Sequence, residues 1–190
     1  ITVGLDRPIV SGTMLGEVTP ERLLRSSNVQ QGDDLALLGA VPIEGTALIA
    51  REKEADLLAR GFDLSLIRRA QGFLHDPTEG GLATGIWEMA QASGVGMAID
   101  FDAVAVPPES QALCAAFGLD PLGLIASGAL LVALPPDQTG RLLDACQAAG
   151  IPAQIIGQAT APGRELTAQR GGQSIPYPQF AFDEITRVFG

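Results

Sequence analysis

Strand-length apolar runs alternate in this chain with segments of helical period, and glycines close the helical segments at Gly61, Gly94 and Gly150. That order constrains the fold more than any other feature. Asp34 to Leu38, Val95 to Phe101 and Ala129 to Leu134 read as strands, with Ala153 to Gly157 and Glu165 to Ala168 as closing strands. Val41 to Thr46 reads as a glycine- and proline-punctuated loop before a helix running to about Arg60. Further helices are predicted over Leu64 to Arg69, about Gly80 to Ser93, Glu109 to Phe117, Pro136 to Ala149 and, briefly, Asp183 to Phe189. Interleaved strands and helices predict an α/β (α+β) domain, a layered mixed β-sheet flanked by helices, rather than a bundle or a barrel. Ala129 to Leu134 is apolar at every position, the pattern of a strand at a sheet centre or buried on both faces.

The chain has 190 residues, enough for one sizeable core. Residues 1–32 are expected to be the end of a preceding N-terminal domain and a connector, with Ile9 to Leu15 strand-like and Thr19 to Gly32 polar; residues 33–190 form the compact domain and its tail. The sequence begins at Ile1 rather than methionine, which fits a piece of something longer. Net charge is −10, Lys53 is the single lysine, and no arginine cluster could track a nucleic-acid backbone. Cys114 and Cys146 fall in apolar helical patterns and are expected to be buried thiols. No residues have metal-ligand spacing, no apolar run is long enough to cross a bilayer and no signal peptide is evident, so the expected setting is the cytoplasm.

Residues 75 to 82, His-Asp-Pro-Thr-Glu-Gly-Gly-Leu, carry the strongest chemical signal. Asp76 suits an N-cap, Pro77 a first helical position and Glu79 a capping box, with an apolar stripe through Ile86, Met89 and Ala90 behind them. Gly80 and Gly81 would then lie in the first turn, where each costs up to about 1 kcal/mol relative to alanine. Two readings account for them. Glycines let a phosphate or another anion approach the free N–H groups and positive dipole end of a helix; equally, capping and close backbone packing would explain the motif. His75, the one histidine, serves in the first reading as a substrate or proton-transfer group and in the second as a structural residue.

Residues 75 to 84 resemble the C-terminal domain of the aminoimidazole-ribonucleotide (AIR) synthetase superfamily. Gln31-Gly32-Asp33 with Leu35 to Gly39, and Gly123 to Leu134, resemble two further stretches of that domain. Within the superfamily the chain is most similar to hydrogenase-maturation carbamoyl dehydratases. The resemblance implies ATP-dependent activation of an amide or carbonyl oxygen by phosphorylation. It also implies that ATP and Mg act in the complete protein, that a missing N-terminal domain holds the nucleotide, and that the protein is a homodimer. Carried over, His75 and Asp76 would be catalytic, and Thr78, Glu79, Gly80, Gly81, Ser127 and Gly128 would bind phosphate or substrate, with Glu44 and Gly45 as a first glycine loop. No metal ligand is assigned. Two departures stand out: Ser127 occupies a position where those dehydratases carry glutamate, and the tail reads Arg187-Val188-Phe189-Gly190 in place of Pro-Arg-x-Cys.

The first functional expectation is therefore the C-terminal half of an ATP-dependent enzyme, inactive alone, that binds a phosphorylated small molecule or nucleotide without engaging nucleic acid or membrane. A bulky residue at Gly81 is expected to abolish activity and spare the fold. The alternative is a non-catalytic anion-binding or protein-assembly module that kept the fold.

Overall fold

The computed structural model describes residues 13, 15–20, 23, 25–71, 80–163 and 165–189. In chain order the elements are β1 (Asp34–Leu38), α1 (Ile43–Glu52), α2 (Glu54–Ala59), α3 (Leu64–Gln71), α4 (Gly81–Ser93), β2 (Val95–Asp100), α5 (Pro108–Phe117), β3 (Leu130–Leu134), α6 (Pro136–Ala148), β4 (Ala153–Pro162), β5 (Leu166–Arg170), β6 (Gln173–Ile175) and α7 (Thr186–Phe189). Pro108 and Pro136 open α5 and α6 at positions where a missing N–H costs nothing. Gly94 closes α4 in the left-handed conformation, φ 76°.

One six-stranded sheet runs β3-β1-β4-β2-β5-β6. Every neighbouring pair is antiparallel except β2 with β5, so the sheet is mixed, as the interleaved order predicts. Leu35, Leu37, Met97, Ile99 and Ile156 pack with Leu82, Ile86 and Ala90 of α4 into one core. Ile49, Leu57, Ile67, Leu113 and Leu124 form a second among α1, α2, α3 and α5. Each large side chain so enclosed contributes about 1.5–3 kcal/mol of hydrophobic stabilisation. Both cysteines are buried and free.

Two expectations need correction. β3 lies at the sheet edge rather than its centre, and Leu130 is 58% exposed. The centre is taken by β1, β4 and β2, where Gly157 of β4 lets the strands approach: a side chain there would strike the Ala98 carbonyl. The stretch read as a loop from Val41 to Thr46 is already helical from Ile43, and the following helix breaks at Lys53 into α1 and α2. The segment read as strand-like, Ile9 to Leu15, lies largely outside the described residues; Thr13 and Leu15 are not in a strand.

At the far end of β2, a short turn over Phe101–Ala103 aims the Asp102 carboxylate at the β5–β6 turn, where it accepts the N–H groups of Gly171 (2.8 Å) and Gly172 (3.1 Å). The Gly171 and Gly172 N–H groups hold the Asp102 carboxyl below its ordinary value of 3.8, with the Arg170 charge adding to them. A depressed carboxyl pKa stabilises the fold above the unfolded value and stops doing so as pH falls through the folded one. Denaturation midpoints of the parent and Asp102→Asn are therefore expected to differ near neutrality and to approach one another as pH falls below the ordinary carboxylate range. Curves that stay parallel through that acid range would contradict the assignment.

Candidate functional site

Two helix starts abut one backbone segment, residues 122 to 125. On one side α1 opens with Glu44 in its first turn; the side chain is 4% exposed. Gly45 donates its N–H to the Ile125 carbonyl (3.2 Å), and a Cβ there would collide with the Leu124 side chain. On the other side α4 opens on Gly80 and Gly81, at φ 85° and 68°. A Cβ on Gly81 would stand 2.5 Å from the Leu122 carbonyl oxygen and 2.8 Å from the Gly123 carbonyl carbon. Only glycine admits this approach.

The α4 cap is Gly80, not Asp76. A residue at φ 85° cannot continue a right-handed helix from Pro77, so the glycines are the cap and first residue of α4 instead of lying inside a turn already begun. The Gly80 N–H, expected to meet phosphate, donates instead to Asp183 Oδ2 at 2.8 Å. Close packing thus accounts for Gly81 and an internal carboxylate for the Gly80 amide. The orphan donors that any helix start presents are here the N–H groups of Gly81, Leu82 and Ala83.

Ser127 and Gly128 continue the same segment. Ser127 is buried, and Gly128 turns at φ 91° with its carbonyl against Gly39, at the end of β1. The fold therefore gathers Glu44, Gly45, Gly80 and Gly81 around residues 122 to 125, with Ser127 and Gly128 just beyond. His75, Asp76, Thr78 and Glu79 lie outside the described residues.

Sequence reasoning missed Asp183 and Glu184, read only as the start of a final helix. Asp183 Oδ1 accepts the N–H groups of Ile125 (3.1 Å) and Ile185 (2.9 Å) in addition to the Gly80 contact. Glu184, 8% exposed, accepts the Asp120 N–H (3.0 Å) and pairs with Arg187 (2.8 Å). Their one sequence signal was two adjacent acids between aromatic and aliphatic residues, Phe182 and Ile185. Cys114 is inert: burial pushes its thiol up to about 12, and the charges of Asp120 and Glu184 act in the same direction.

The backbone donors and positive dipole end of the α4 start suit an anion. They do not suit a divalent cation, and no group of three or more His, Cys, Asp or Glu side chains among the described residues is placed to hold one. No helix among the described residues is long and apolar enough to cross a membrane.

Comparison with known proteins agrees with this architecture. The chain is 31% identical over 180 residues to a putative hydrogenase expression/formation protein of Methanocaldococcus jannaschii, an alignment covering 84% of this chain and 52% of that protein. It is 31% identical over 169 residues to the carbamoyl dehydratase HypE of Rhodobacter capsulatus, covering 82% and 50%. The chain spans about half the length of the curated relatives it matches. Among solved structures, the hydrogenase maturation protein HypE in complex with ATP superposes with a TM-score of 0.70 at 20% identity over 90% of this chain and 57% of that one, a likeness of fold. The profile of the AIR synthase related protein C-terminal domain covers residues 30–168, from the approach to β1 through β5, and this chain belongs to that family.

Proposed function

We propose that this chain is the C-terminal domain of an ATP-dependent, AIR-synthase-like protein that activates an amide or carbonyl oxygen by phosphorylation, and that it contributes phosphate and substrate binding. The observation that carries the reading is the convergence of the α1 and α4 starts on residues 122 to 125. ATP supplies the phosphoryl group; transfer of such a group depends on positioning and charge neutralisation rather than on covalent chemistry by the protein. This chain's share is geometric. The Gly81, Leu82 and Ala83 amides meet an anionic oxygen, residues 75 to 79 orient substrate, and Ser127 and Gly128 contribute from the continuation of the 122 to 125 segment. Nucleotide and Mg are assigned to the other half of a longer, dimeric protein, as the family resemblance implies.

Relatives named carbamoyl dehydratases suggest a carbamoyl-type substrate, yet neither cysteine of this chain fits an acceptor: both are buried. Ser127, in place of the glutamate of the resembling dehydratases, favours the second reading, a non-catalytic anion-binding or assembly module. Substrate-dependent ATP turnover by a protein of the relatives' full length separates the two, since only the first reading requires it.

Thr84→Glu tests the anion site directly. Thr84 lies in the opening turns of α4, where an added carboxylate favours the helix by up to about 1 kcal/mol but repels an incoming anion. Calorimetric titration with inorganic pyrophosphate is expected to give affinity about tenfold weaker for the variant, with no loss of thermal stability. Equal affinities would remove α4 from the site.

A further inference from the structure

We propose that Tyr177 to Val188 is a docked strap and that its Asp183 is a positioning residue, fixing the Gly80–Gly81 turn against Ile125; the proposal rests on the anion site assigned above. Contacts made by six of its residues define the strap. The Tyr177 hydroxyl donates to the Ala83 carbonyl in the first turn of α4 (2.8 Å). The Phe180 ring fills the place a side chain on Gly123 would occupy. Asp183 accepts N–H groups from three places in sequence: Gly80, Ile125 and Ile185. Glu184 donates its own N–H to the Gly123 carbonyl (3.0 Å), while Ile185 and Val188 pack on the helical core. The α4 start and residues 120 to 125 are thus joined to each other through a third segment more than fifty residues from either.

The sign of the charge gives the argument its force. A carboxylate beside an anion site opposes the anion by Coulomb repulsion. Asp183 therefore benefits the site through geometry: a carboxylate is the side chain that accepts N–H groups on both oxygens, and such charge-assisted bonds are about twice as strong as neutral ones. Asparagine keeps the shape and removes the charge, but its NH2 group faces an N–H donor and half the clamp is lost. A role through charge predicts tighter anion binding in Asp183→Asn, and a positioning role predicts weaker binding.

The test uses the 190-residue chain, inorganic pyrophosphate and amide hydrogen exchange. Asp183→Asn is expected to weaken pyrophosphate binding about tenfold and to speed exchange at Gly80 and Ile125. Arg187→Ala, which loosens the strap only at Glu184, is expected to change affinity less than about twofold. Unchanged or tighter binding by Asp183→Asn, with the parent binding normally, overturns the proposal. If the parent itself binds no pyrophosphate, the anion reading falls, and exchange decides the strap: faster at Gly80 and Ile125 in Asp183→Asn upholds the clamp, unchanged rates overturn it. Should Asp183→Asn not fold, Tyr177→Phe deletes a single strap contact at the same turn. It is expected to weaken binding about two- to threefold and to speed exchange at Gly80; no change in either overturns the proposal.

Discussion

Gly81→Val is expected to lower the melting temperature by about 10–15 °C, a loss of roughly 3–5 kcal/mol. Two costs combine. Valine at φ 68° is held in a region that β-branched residues rarely adopt, and its Cβ meets backbone atoms of Leu122, Gly123 and Leu124, which cannot rotate aside. Folding itself is therefore affected, contrary to the expectation that a bulky residue here would spare it. Gly85→Ala is the matched control: an added Cβ at Gly85 meets nothing within 4 Å, and alanine inside a helix is favoured over glycine by about 0.5–1 kcal/mol. Thermal denaturation of both variants checks the pair. A Gly81→Val protein melting within about 2 °C of the parent would mean that α4 does not meet residues 122 to 124 as described.

The second large effect is at Leu124, fully buried between α1 and the helical core. Leu124→Ala is expected to cost about 2–5 kcal/mol, the transfer term plus the cavity left behind. Gly45→Ala is destabilising alone because its methyl group would run into the Leu124 side chain. In the double variant that methyl enters space vacated by leucine. Urea unfolding of the four proteins is expected to give a total loss at least about 1 kcal/mol smaller than the sum of the two single losses. Strict additivity would show that α1 and residue 124 are not packed against one another.

These two positions illustrate how the sequence could be read. Gly81 was legible as a glycine that admits a close approach, because glycine at a helix start is costly and needs a reason, whereas Gly45 was read only as part of a glycine loop. What approaches them was not legible. Both meet residues 122 to 125, some forty to eighty positions later in the chain, and that partner is chosen by where α5 and the turn at Pro121–Gly123 deliver the backbone. The Asp183 contacts are more remote still. A carboxylate in a glycine- and aromatic-rich tail has no periodicity to report its partners, and only the returning strap brings it to Gly80 and Ile125.

The ends of the sheet show the same division. β3 reads as a central strand because all five residues are apolar, yet among the described residues it pairs only with β1. β4 reads as a modest closing strand because glutamine, glycine and threonine interrupt it, yet it lies between β1 and β2. Hydrophobicity reports how much surface a strand must cover, whereas position in a sheet depends on which backbones can approach, and Gly157 grants that to β4.

The sequence by itself determined the layered mix of strands and helices, the buried cysteines and the need for glycine at Gly81, since local period and glycine cost act over a few residues. Only the tertiary structure decided the strand order, the convergence of α1 and α4 on residues 122 to 125, and the capture of the Gly80 amide by Asp183. Those features are contacts between segments far apart in the chain, and their energies come from packing and hydrogen-bond satisfaction that no local pattern encodes.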